Sequence, residues 1–60
     1  MAAKFEVYQD ARGEYRWRLK SANGQVIATG GEGYTSKAGA SNGIEAVKRD
    51  APGAEVVDAD

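Results

Sequence analysis

The sequence predicts an α+β domain, an antiparallel sheet with one helix packed on one face, in the order β-β-β-α-β. Three observations carry this. Two runs alternate apolar and polar side chains at strand period, short glycine-bearing loops of hairpin length separate them, and a helical stripe follows a glycine-rich break. All 60 residues form one domain.

The first strand is predicted over Lys4–Gln9, with Phe5 and Val7 on one face and Lys4, Glu6 and Tyr8 on the other. The second, Tyr15–Lys20, alternates more strongly: Tyr15, Trp17 and Leu19 against Arg16, Arg18 and Lys20. Asp10-Ala11-Arg12-Gly13-Glu14 and Ser21-Ala22-Asn23-Gly24-Gln25 both suit three-residue hairpin loops that end in a left-handed glycine. Turn type then sets register. Pairing Asp10 with Glu14 puts Phe5 opposite Leu19, Val7 opposite Trp17, Glu6 beside Arg18 and Tyr8 beside Arg16. Pairing Ser21 with Gln25 puts Leu19 opposite Ile27 and Trp17 opposite Thr29. A two-residue turn at Asn23-Gly24 would instead set Leu19 against Ala28 and turn Ile27 to the arginine face. The register with the larger apolar row is preferred.

After Gly30-Gly31-Glu32-Gly33, Thr35 or Ser36 can cap a helix that runs to about Asp50. Ala40, Ile44, Val47 and Ala51 form its narrow apolar stripe. Lys48 and Arg49 suit its negative end, and Pro52-Gly53 stops it before Ala54–Asp58, a candidate fourth strand. Gly39 and Gly43, inside the helix, each cost about 1 kcal/mol relative to alanine. Close approach of the helix backbone to the sheet or to a partner helix would account for them.

A chain this short buries only about 60% of the surface its unfolded form exposes. It has no cysteine for a disulfide or thiolate site and no histidine for metal binding or neutral-pH proton transfer. Oligomerisation is the remaining route to added stability. A net charge of −1 argues against a surface wholly committed to nucleic acid. No apolar run could form a signal peptide or cross a bilayer, so the simplest expectation is a cytoplasmic protein with no membrane contact.

Phe5-Glu6-Val7-Tyr8, Gly13 to Lys20, Asn23 to Ala28, Tyr34-Thr35-Ser36-Lys37-Ala38 and Asn42 to Lys48 together resemble the YegP-like family, a bacterial domain of unknown function. The resemblance spans nearly the whole chain. It implies a β-β-β-α-β unit that occurs as tandem repeats or as a dimer of single repeats, sharing a continuous sheet and exchanging C-terminal strands. Here there is one repeat, so Glu55-Val56-Val57-Asp58 would pair with the other subunit. The family carries no catalytic residues over to this sequence. Gly30 to Gly33 is denser in glycine than its pattern.

Two groups of residues could bind an anion. Arg16, Arg18 and Lys20, with Tyr8 nearby, could hold phosphate or single-stranded nucleic acid. The plainer reading makes them the solvent face of a strand, with Glu6 as partner. Gly33, Tyr34, Ser36 and Lys37 bring flexible backbone, hydroxyls and a cation to a helix N-terminus. Yet Ser36 precedes Lys37 in the wrong order for a P-loop, and Ser36 stands where a dinucleotide fingerprint needs its last glycine, so an ordinary loop and cap is favoured. The carboxylates, Glu32, Glu45, Asp50, Asp58 and Asp60 among them, form no pair at catalytic spacing and no calcium loop. Trp17 and Tyr15 are read as core rather than as pocket lining. The expectation is therefore a non-enzymatic interaction module without a cofactor, acting as a homodimer. An anion- or nucleic-acid-binding module is the alternative, with an unidentified protein or a small anionic ligand as a further partner.

Overall fold

The computed structural model describes residues 2–59; Met1 and Asp60, the latter one of the tail carboxylates, lie outside them. Strands β1 (Lys4–Gln9), β2 (Tyr15–Lys20) and β3 (Val26–Thr29) form an antiparallel sheet in the order β1-β2-β3. Helix α1 (Lys37–Asp50) follows, and a single 3-10 turn, Ala51–Gly53, closes it. The helix crosses the face that carries Trp17. Only Trp17, Ala40 and Ile44 are buried among the described residues. Phe5, Val7, Tyr15, Leu19 and Val47 are half-buried, because one 14-residue helix cannot cover a three-stranded sheet.

The first hairpin matches the sequence expectation pair for pair, with Phe5 opposite Leu19, Glu6 opposite Arg18, Val7 opposite Trp17 and Tyr8 opposite Arg16. Asp10 and Glu14 close it: the Asp10 N–H donates to the Glu14 carbonyl (2.8 Å), and Gly13 takes the left-handed conformation at φ 84°. Asp10 also shapes the loop through its side chain, where Oδ1 accepts from the backbone N–H groups of Arg12 (2.9 Å) and Glu14 (3.0 Å).

The second hairpin begins as expected and then departs. Ser21 N–H donates to Gln25 carbonyl (2.8 Å) with Gly24 at φ 89°, and Lys20 pairs with Val26. Between Lys20 and Leu19 the register then slips by one residue, so that Leu19 faces Ala28 and Arg18 faces Thr29. Ile27 is the extra residue of this β-bulge and is 59% exposed, not part of the buried row. The cause is the bulk of Trp17. The slip puts Gly30 across from Trp17, where the Gly30 N–H donates to the Trp17 carbonyl (3.0 Å). A Cβ on Gly30 would lie 2.6 Å from the indole Nε1, so Thr29 could not occupy that place.

The glycine-rich segment is a second interruption of the same edge. Tyr34 rejoins β2 opposite Tyr15, each N–H donating to the other's carbonyl at 2.8 Å. With Trp17 facing Gly30, an unbroken ladder would have brought residue 32 to Tyr15, so two residues are looped out. Ser36 caps α1: its Oγ accepts from the Gly39 N–H (3.0 Å). The glycines of the helix are explained by the sheet side, with no partner helix required. Tyr34 lies against Gly39, its Cβ and Cδ1 each 3.3 Å from where a Cβ would be, and Tyr34 and Trp17 both reach Gly43.

The fourth strand expected over Ala54–Asp58 does not form within the single chain: this stretch has no regular structure, and Val56 is 98% and Val57 70% exposed. A strand exists only as part of a ladder of backbone hydrogen bonds, and the sheet of the described residues consists of β1, β2 and β3 alone.

Candidate functional site

The outer face of the sheet gathers the cations that the sequence singles out. Arg16, Arg18 and Lys20 stand at alternate positions of β2, so strand geometry brings them to one side, with Lys4, Glu6 and Tyr8 of β1 alongside. Each is engaged. Arg18 Nε donates to Glu6 Oε1 (2.8 Å), and its guanidinium lies 4.4 Å from the Tyr8 ring centroid. Lys20 reaches the same Glu6 oxygen at 3.4 Å, and Lys4 reaches Oε2 at 3.9 Å. Arg16 turns away from Tyr8, its neighbour in register, and donates from Nε to Asp10 Oδ2 (2.7 Å) with Glu14 at 3.5 Å. Tyr8 is thus covered diagonally by Arg18.

These pairings shift the carboxylates. The hydrogen bond from Arg18 holds Glu6 below the ordinary carboxylate range, against a smaller opposing effect of partial burial, and Lys20 adds to it. Arg16 does the same to Asp10, helped by the N–H groups of Glu14 and Arg12. Asp10 in turn raises Arg16.

The second candidate group does not converge as one anion cradle. Ser36 Oγ is committed to the helix cap, and Gly33 packs against the side chain of Glu14, a carboxylate. Tyr34 turns its ring onto the helix glycines. Lys37 is exposed at the first position of α1 and has no ion pair among the described residues. Strand face and loop therefore form two separate surfaces. No group of three or more potential metal-ligating side chains occurs among the described residues, and no helix is long and apolar enough to cross a membrane. Open depressions lie elsewhere, one over Ala2, Lys4 and the Ser21–Gly24 turn, another over Ala46, Val47, Asp50, Ala51 and Ala54 at the end of the helix stripe.

Asp10 is the residue that sequence reasoning missed. Its position four residues before the turn-closing Glu14 is the signal of a side chain able to bond the loop's own backbone, and that fixed carboxylate is what draws Arg16.

A family model described as a domain of unknown function (DUF1508) matches residues 10–58. The chain belongs to the DUF1508 family. The resemblance to the YegP-like family is borne out, since that is the same group, known among curated proteins as UPF0339. A UPF0339 protein of Treponema denticola is 55% identical over 58 residues, covering 97% of this chain and 98% of that protein. A UPF0339 protein of Stutzerimonas stutzeri is 52% identical over 52 residues, which is 87% of this DUF1508 chain and 46% of the relative. Among solved structures, the solution structure of a Haloferax volcanii protein superimposes with a TM-score of 0.92 at 55% identity, covering 97% of both chains. None of these names assigns an activity to the family.

Proposed function

We infer that this DUF1508 chain is a non-enzymatic interaction module that acts as a homodimer, the C-terminal segment of each copy pairing with the sheet of the other. One observation carries the reading: the large exposed hydrophobic side chains among the described residues are Val26, Ile27, Val56 and Val57, two on the edge strand β3 and two on the C-terminal segment outside the sheet. An extended Val-Val segment and an open strand edge are complementary in backbone hydrogen bonding as well as in apolar surface. The thin core and half-buried Phe5 and Leu19 point the same way, since a second unit would cover what one helix leaves open. The Stutzerimonas relative is also long enough for two such units, because the match takes in less than half of it.

Light scattering on the full chain, alongside Val56→Asp/Val57→Asp, tests this. The expected mass is twice the 6.3 kDa of the chain for the first and a reduced mass for the double variant. A full chain that stays monomeric at millimolar concentration overturns the reading.

A second reading, anion binding on the sheet's outer face, rests on the sharing of Glu6. Lys4, Arg18 and Lys20 all meet this one carboxylate, three positive charges against one negative, leaving a local excess of two. A polyanion would compete with Glu6 for these groups and bind in a salt-dependent way. Binding of a single-stranded oligonucleotide that falls at high salt and is lost in Arg18→Ala/Lys20→Ala supports this reading; an affinity unchanged by that variant removes it.

A further inference from the structure

The sheet offers a second copy two free edges, β3 and β1, and they are unequal. β3 spans four residues, carries the bulge at Ile27, and is interrupted again before Tyr34. Short length and a bulge are what keep an edge from accepting another strand. β1 pairs with β2 without a break over all six of its residues. Tyr15 and Trp17 turn backbone groups to the β3 side, where they bond Tyr34 and Gly30. Antiparallel alternation then points Arg16, Arg18 and Lys20 at β1, and leaves the N–H and carbonyl groups of Phe5, Val7 and Gln9 along the free edge.

Helix α1 starts beside Tyr34, on the β3 side of β2, and packs on β2 and β1 but not on β3. Its course across the sheet therefore leads toward the free edge of β1. The turn that closes it, Ala51–Gly53, packs on the helix and on no strand among the described residues. The helix end thus overhangs the sheet. There lies the apolar depression of Ala46, Val47, Ala51 and Ala54, with Asp50 at its rim paired to Arg49. A strand added to β1 would run beneath this overhang.

We propose that the C-terminal segment of a second copy adds to the free edge of β1, with Val56 seated in the helix-end depression and Glu55 on the outer face beside Lys4, Arg18 and Lys20. This placement rests on the homodimer reading and gives it an edge and two side-chain contacts. Ala54 is already extended (φ −75°, ψ 134°), and in an extended segment Glu55 and Val57 share one face while Val56 takes the other. Charge selects the face. Lys4, Arg18 and Lys20 meet the single carboxylate of Glu6, an excess of two positive charges beside β1. Glu55 has no ion pair among the described residues, whereas Asp58 is engaged within its own chain. With Glu55 outward, Val56, which is 98% exposed in the single chain, turns to the helix side and leaves water for an apolar seat.

The chain has no cysteine, so introduced thiols report proximity without background. 15N-labelled Val56→Cys is refolded with unlabelled Ala51→Cys, and separately with unlabelled Ala28→Cys on β3, and each mixture is oxidised. Mass under denaturing, non-reducing conditions identifies links between unlike chains. A link to position 51 and none to position 28 is expected. A link at position 28, or none at either position in mixtures that have the mass of a dimer, overturns the placement while the homodimer reading stands. A monomeric wild-type chain overturns both. Glu55→Lys, which alters no apolar contact, is the second measure. Its dimer dissociation constant is expected to rise several-fold at low salt and less at high salt, and an unchanged constant also overturns the placement.

Discussion

Replacing Gly30 by alanine would set a methyl group 2.6 Å from Trp17 Nε1, 2.8 Å from Cε2 and 3.0 Å from Cδ1. Comfortable separation for such atoms is about 3.5 Å, so roughly 0.9 Å must be found by moving the ring or the strand. The ring has little freedom. It stands edge-on to Phe5 at a centroid distance of 5.7 Å, and it shares the small core with Ala40 and Ile44. Gly30 does not have a left-handed backbone, so the substitution acts through this contact and not through φ. Overpacking of this kind costs about 1–3 kcal/mol. In a domain this size each kcal/mol moves Tm by roughly 4–8 °C, so a fall on the order of 10 °C is expected. Gly31→Ala is the control: a Cβ there meets nothing within 4 Å, and the loss of backbone freedom in the unfolded chain should leave it neutral or slightly stabilising. Thermal unfolding of both variants at one protein concentration makes the comparison. Equal Tm values for Gly30→Ala and Gly31→Ala would refute the claim that the indole dictates glycine at position 30, and with it the reason given for the β-bulge.

Further outcomes follow from the cap and the ion pairs. Ser36→Ala removes the acceptor for the Gly39 N–H and should cost about 1 kcal/mol, whereas Ser36→Asp should retain the stability; denaturant midpoints measure both. Glu6 and Asp10 both titrate below their unfolded values. As pH falls, the unfolded chain therefore takes up protons first. The stabilisation by these two groups is full above the unfolded values near ~4 and is lost as pH drops through the lower folded ones. Tm should fall between about pH 5 and pH 2, less steeply in high salt and in Glu6→Gln/Asp10→Asn; a flat or rising profile would contradict the pairing.

The succession of three strands and a helix, the first register and the helix cap were legible in the sequence because each depends on residues close together in the chain. Alternation defines β1 and β2, Gly13 and Gly24 supply the left-handed turn positions, and Ser36 lies three residues from the N–H it accepts. Local chemistry likewise announced Glu6 as the partner of Arg18, because a hairpin with a known turn has a known register. Family membership was legible for a different reason: it rests on the residues themselves.

Tertiary structure decided what depends on volume. That Leu19 faces Ala28 and Ile27 is extruded follows from an indole that admits only a glycine opposite, and periodicity carries no record of ring size. The same ring, with Tyr34, sets the use of Gly43, because the two side chains fill the place a Cβ would take on the helix. The diversion of Arg16 to Asp10 arose because the turn had already fixed that carboxylate in space. The C-terminal segment carries strand-forming valines but forms no strand among the described residues, since a strand needs a neighbour and sequence specifies only one side of that pair.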